Sequence, residues 1–197
     1  MAVTPGNVLQ SRDFGCFRQA YTSSNALPSD SAAQTSPGGS WVDVGGVDGG
    51  LDVRMSATYE DVHVDQNIYP IYTIGTNGDL HMVTNLAELT PQNLQFVTGQ
   101  GALTTVAAGS GTRGHTDLTI SGTIAVNYFS VLYQIKNSAG DGEDIRILLR
   151  KAIMKGSPQP KFSGGSKAIL PMDAQGYPDS ANSDQVLVWR DIIAALP

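Results

Sequence analysis

Three short clusters in this chain have the residue types and spacing from which a chemical site could be built. In Asp61, His63 and Asp65 two carboxylates flank an imidazole at alternate positions, so on an extended strand all three share one face and offer oxygen and nitrogen ligands to a divalent ion. Same-face neighbours on a strand stand about 7 Å apart, too far to converge on one ion without a bend. A polar strand end turned toward another subunit explains the same residues. Gly109, Gly111 and Gly114 in GSGTRG spell the G-x-G-x-x-G of a dinucleotide-binding turn. That turn works by presenting a helix N-terminus to a pyrophosphate, whereas the next residues, HTDLTISG, read as a strand, so a flexible loop is expected. Asp141, Glu143 and Asp144 in AGDGED carry calcium-type ligands, but without the spacing of an EF-hand loop they suit a solvated hairpin tip.

Nucleophilic catalysis has little footing. Cys16 is the one cysteine and has no His beside it in sequence, no G-x-S-x-G elbow occurs, and His63, His81 and His115 are isolated on strand patterns. The expectation is a protein that is not an enzyme, with no catalytic residue, no cofactor and no metal site.

The elements that would carry these residues are mostly strands. The 22 Gly and 10 Pro among 197 residues favour many short strands with turns over a helical bundle, and one core suffices for this length, so residues 1–197 read as one domain. Leu51, Val53, Met55, Ala57 and Tyr59 alternate on one face of a long strand, and the phase reverses at Glu60, where Val62 and Val64 take over; a bulge or bend is expected there. Tyr69–Ile74 and Leu80–Leu86 read as a hairpin joined across Thr76-Asn77-Gly78-Asp79, which carries the Asn-Gly turn signature. Asp61–Ile74, polar and holding Pro70, reads as a mobile loop in a lone copy. Thr90 as cap, Pro91 at the first helical position and Gly99 as stop define a helix of about two turns, residues 90–98, with Leu94 and Val97 on one side. Further strands are expected at Leu103–Ala107, Leu118–Val126, Tyr128–Lys136, Glu143–Lys155, Ala168–Met172 and Val186–Ile193. In Glu143–Lys155, Ile145, Ile147, Leu149 and Ile153 face one way and Arg146, Arg150 and Ala152 the other. Residues 18–40, rich in Ser, Ala, Pro and Gly, read as a flexible polar arm or loop.

Charge narrows the partners. A net charge of -6 disfavours a grip on nucleic acid or on an anionic membrane. The opening MAVTPGNVLQ lacks the basic and apolar runs of a signal peptide, which predicts folding in a cytoplasm, and no apolar run approaches the ~20 residues of a membrane span. Between Gln19 and Thr112 there are nine acids and one base, Arg54, whereas Lys136–Lys167 holds seven of the twelve bases. Complementary regions of this kind suit head-to-tail self-association.

The segment from Trp41 to Gly99, under a third of the chain, resembles the major tail tube proteins of long-tailed bacteriophages, in the tail tube and type VI secretion tube superfamily. The resemblance rests on the order WVDVGGVDGGLDVRMSATYEDVHVDQ, then Tyr69-Pro70-Ile71, then VTNLAELTPQNLQFVTGQG. It implies a mainly β fold, a β-sandwich with one short α-helix and long hairpins that form a shared inner β-barrel in a hexameric ring. Such rings stack head to tail into a tail tube in the virion, the conduit for DNA ejection into the host. Partners implied are further copies of the chain, tape measure, tail initiator and tail terminator proteins, and DNA in passage, with no membrane, after assembly in the bacterial cytoplasm. Asp61, His63, Asp65, Gln66, Tyr69 and Pro70 are the expected contacts between rings or subunits, and Arg146 and Arg150 are expected at subunit boundaries. The polar segment 18–40 departs from a minimal member of the family. A β-sandwich binding module, receptor-binding or capsid-decorating, with Trp41, Tyr69, Tyr72 and Tyr177 as contact aromatics, is the competing reading.

Overall fold

A computed structural model of the chain describes residues 11–30, 32, 36–137, 144–156, 158–160 and 168–192. It is mainly β, with strands β1 (Ser11–Ala20), β2 (Val42–Asp43), β3 (Val47–Val62) and β4 (Tyr72–Leu86), helix α1 (Pro91–Thr98), then β5 (Ala102–Val106), β6 (His115–Thr119), β7 (Phe129–Asn137), β8 (Asp144–Met154), β9 (Leu170–Gly176) and β10 (Leu187–Ile192). The main sheet runs β2-β1-β7-β8-β9-β4-β3 with antiparallel pairing, and β5 and β6 form a separate hairpin. β7 occupies one edge of β8, so β10 and β9 divide the other: β10 pairs with Asp144–Leu149 and β9 with Ala152–Met154. Among the described residues no sheet closes on itself.

Alternation explains the core. Val131, Tyr133 and Ile135 of β7 and Ile147 and Leu149 of β8 are buried with Met172 and Ala174 of β9, Met82 and Leu86 of β4 and Phe96 and Val97 of α1. The expected facing of Ile153 fails because β8 bulges. Phe129 pairs with Ala152 but Val131 with Leu149, so an extra residue on β8 turns Ala152 and Met154 into the core. The opposite face of the same strands is also covered: Phe17, Leu132 and Leu148 form a second cluster under Leu27, Trp41 and Val188.

The helix follows its local signals. Thr90 Oγ1 accepts the Asn93 N–H at 3.1 Å, Pro91 opens the first turn, and Gly99 ends it at φ 64°, the left-handed conformation that costs a side-chain-bearing residue most. It buries Asn93, Phe96 and Val97, so the inward side is set by Phe96 and Val97, with Leu94 only half-buried.

Two hairpin expectations are overturned. Thr76–Asp79 is not a turn: it lies inside β4, paired with β3, and the connection is residues 63–71. The Asn-Gly signal sits instead at a bulge, where Thr58 pairs with Asn77 and Tyr59 with Gly75, leaving Thr76 as the extra residue. The irregularity expected at Glu60 is thus present, but on the partner strand. Asp61–Ile74 is likewise not one loop, because Asp61 pairs with Thr73 and Val62 with Tyr72. The strand expected over Leu118–Val126 ends at Thr119. GSGTRG forms the β5–β6 connection and leads into a strand, β6.

The segment 18–40 is not a free arm over its described residues. Arg18–Ala20 complete β1, and the chain beyond Ala20 is a strap held to the sheet. Asn25 Nδ2 donates to Ser130 Oγ at 2.8 Å, Tyr21 Oη to Asp179 Oδ1 at 2.7 Å and Asn182 Nδ2 to the Ser23 carbonyl at 3.1 Å. Residues 31 and 33–35 of that segment, and the expected Gly140-Asp141-Gly142 connection, lie outside the described residues.

Candidate functional site

The feature that stands out is the outer half of the β3–β4 hairpin. Leu51 and Val53 of β3 and Leu80 of β4 still pack on the core, but every residue from Arg54 to Asp61 and from Asp65 to Gly78 is exposed. Seven paired residues, Ser56–Val62, at about 3.3 Å each carry the ribbon about 23 Å past the body before the turn begins. Much of that length is apolar. Met55 is 70% exposed, Tyr69 79% and Ile68 92%, joined by Tyr59, Ile71, Tyr72 and Ile74. Tyr59 lies across Gly75 on the continuation of the core-side face, while Val62, Tyr72 and Ile74 occupy the other face by alternation. The reversal of phase at Glu60 therefore moves apolar side chains to the opposite side of the ribbon and leaves both faces without cover.

The sequence-derived contact residues divide into two groups. Asp61, His63, Asp65, Gln66, Tyr69 and Pro70 come together on this tip, all but the half-buried His63 exposed. Asp61 Oδ1 accepts from Thr73 Oγ1 at 2.7 Å, and because β3 ends at Val62, His63 and Asp65 lie in the turn and not on one strand face with Asp61. Arg146 and Arg150 lie elsewhere and point into their own chain. Arg146 is 1% exposed; its Nη1 donates to the carbonyls of Pro28 at 3.1 Å and Ser29 at 2.7 Å, and its Nη2 to Ala32 at 2.9 Å. Burial lowers the pKa of this guanidinium from its ordinary value, and the charges of Asp30 and Asp144 push it back. Arg150, half-buried, donates to the Asn25 carbonyl and to Gln185. The expected subunit-boundary arginines are thus the anchors of the strap.

Residues that could carry chemistry are dispersed. Cys16 is fully buried, its thiol pushed up to about 12 by desolvation and by Asp43. His81 Nδ1 meets Asp173 Oδ1 at 2.7 Å across β4 and β9, and His115 meets Asp117 at 3.6 Å. Among the described residues no group of three or more His, Cys, Asp or Glu side chains gathers as a metal site.

A second exposed apolar surface has no counterpart in the sequence signals. Ile120, Ile124 and Val126 follow β6 in an extended segment held by Gln100, which donates to the Ala125 carbonyl and accepts its N–H, and by Asn127, which donates to the Gly99 carbonyl. Beside it the Lys151 ammonium lies 4.6 Å from the Tyr128 ring centroid and 5.5 Å from that of Tyr21. Nothing in the spacing of these residues links them, because the contact joins β8 to segments more than twenty residues away.

The geometry defines an antiparallel β protein with one helix and a long, apolar-tipped ribbon. No helix among the described residues is long and apolar enough to cross a membrane. No family model matches the chain, and no curated protein matches it.

Proposed function

We propose that the chain is a structural protein that polymerises through its β3–β4 ribbon, as stacked hexameric rings forming a bacteriophage tail tube for DNA ejection. The observation that carries this reading is the ribbon itself: about 23 Å of paired strand with uncovered apolar residues on both faces, which water disfavours and a neighbouring copy would bury. Its outer strand, β3, is an edge of the main sheet, and edges of this length invite pairing with another chain. Ribbon and receiving surface differ, so the contact is heterologous. A heterologous contact closes into a ring or repeats along a filament. A net charge of -6 suits a conduit through which DNA passes without being held.

The shared inner barrel, the sandwich layering, six-fold symmetry, the tape measure, initiator and terminator partners and the virion location belong to this proposal through the family resemblance. Electron microscopy of the purified chain tests it. Rings or tubes with a central channel are expected, and dispersed single copies at high concentration would overturn it in favour of a monomeric binding module.

A further inference from the structure

We propose that the hairpin tip docks on a second copy of this chain, in the cleft between the C-terminal end of α1 and residues 126–129. This rests on the self-assembly reading above and adds the receiving surface. The cleft encloses about 390 Å³ and is lined by Gly99, Gln100, Val126, Tyr128, Phe129 and Tyr21 among others. Its apolar wall continues into Ile124, 85% exposed, and the Lys151 ammonium sits at its aromatic lip.

Charge selects this cleft. From Met55 to Asp79 the ribbon contains Glu60, Asp61, Asp65 and Asp79 and no Lys or Arg, so its tip is apolar and acidic. The cleft is apolar with a cation beside it, which is the complement. A second apolar opening, about 450 Å³ between Phe14, Leu51, Val53, Ile135, Ile147 and Trp189, would also accept apolar side chains. Its framing strands β3 and β10 carry Asp48 and Asp191, however, so an acidic tip meets like charge there. The occupant is another copy because a paired ribbon about 23 Å long does not bend back onto its own body. Donor tip and acceptor cleft are distinct surfaces present on every copy, so the contact propagates.

The test uses the full chain, in which the Cys16 thiol is buried and unreactive. Ile68→Cys and Val126→Cys proteins are mixed under assembly conditions and treated with a short bis-maleimide, and Ile68→Cys with Trp189→Cys serves as the comparison. Covalent dimer from the first mixture is expected to exceed that from the second by about tenfold. Polymer that cross-links through Trp189, or through neither position, overturns the docking site and leaves self-assembly standing. Absence of any polymer from the unmodified chain overturns self-assembly and the docking site together. Lys151→Glu, checked for native circular dichroism, is expected to raise the concentration needed for polymer about tenfold, with recovery when it is mixed with Asp61→Lys/Asp65→Lys protein. Assembly of Lys151→Glu at the unmodified concentration refutes the charge pairing.

Discussion

Replacing Arg146 by Met removes the guanidinium but keeps most of the buried stem, and the structure allows the cost to be worked out. Three donated hydrogen bonds, to Pro28, Ser29 and Ala32 carbonyls, disappear together. At about 1.5–3 kcal/mol for a bond involving a charged group, the ceiling is about 4.5–9 kcal/mol. The acceptors belong to a strap that can lift and recover water, which reduces the loss to about 3–5 kcal/mol, the range for removing one partner of a buried charged interaction. A domain of ordinary stability, about 5–15 kcal/mol, would survive this only with a much larger unfolded fraction. Arg190 supplies the internal control. It reaches the same strap through Asp30 at 2.7 Å, but the pair is 42% and 62% exposed and is worth about 0–1 kcal/mol.

Urea denaturation followed by circular dichroism measures both variants, and limited proteolysis under native conditions reads cleavage within 21–40. Arg146→Met is expected to lose at least about 3 kcal/mol and to expose the strap, while Arg190→Ala changes little. If the two variants lose equal stability, below about 1 kcal/mol, the guanidinium does not hold the strap and the reasoning fails. The result also bears on assembly. Reversal of Arg146 to Glu abolishes polymer by damaging the subunit, so it cannot report on a subunit boundary.

Other outcomes rest on the same geometry. Thr90→Ala should cost about 1 kcal/mol by removing the cap on the Asn93 N–H, and Gly99→Ala a similar amount through its left-handed φ of 64°, both read from urea midpoints. Cys16 should resist a thiol-reactive dye at pH 8 until denaturant is added; rapid native labelling would refute its burial. Asp179 feels desolvation that raises its pKa, but hydrogen bonds from Tyr21, Asn182 and the Ala181 N–H outweigh it and hold the carboxyl below its ordinary value; the bond to Asp179 raises the Tyr21 phenol. A lowered carboxyl gives stability that is present above its unfolded pKa and lost as pH falls through its folded one, and a raised phenol gives stability that is present below its unfolded pKa and lost as pH rises above it. The stability difference between the native chain and Tyr21→Phe should therefore be largest near neutrality and shrink below about pH 4 and above about pH 10; a difference independent of pH would refute the bond.

What can be read from the sequence is local. Thr90, Pro91 and Gly99 act within one turn of the groups they satisfy, so the helix is legible to within a residue. Alternation in 129–136 and 145–149 marks β7 and β8 because those strands are buried by their own periodicity. Arg146 misleads for a nonlocal reason. Between Ile145 and Ile147 it occupies the position that faces water in a sheet covered on one side, but this sheet is covered on both, and the second cover is a Ser- and Pro-rich strap over a hundred residues earlier. The same strap reads as mobile because its composition offers little to a core. Its anchors are polar bonds from side chains elsewhere, which composition does not register. Thr76–Asp79 misleads for a related reason: an Asn-Gly pair favours a turn only when nothing else claims its backbone, and here β3 supplies a partner for the residues on either side.

Strand lengths explain why the ribbon is the place to look for function. β8 and β9, which hold the body, run to 11 and 7 residues, whereas β3 and β4 run to 16 and 15. Only the part of β3 and β4 that meets β9 and the facing core residues can be covered by the chain itself, so the surplus has to leave the body. A surplus selected only for solubility would be short or charged on both faces. This one keeps Met55, Tyr59, Tyr72 and Ile74 in a regular ladder, then places Ile68, Tyr69 and Ile71 in the turn. A ladder that survives without a core beneath it, and that carries side chains suited to a core, is matched to a surface outside the subunit. The acids among those side chains, Glu60, Asp61 and Asp65, then restrict which surface that is, because they favour a receiver that is apolar and cationic, as beside Lys151, over one that is apolar and acidic, as beside Asp191.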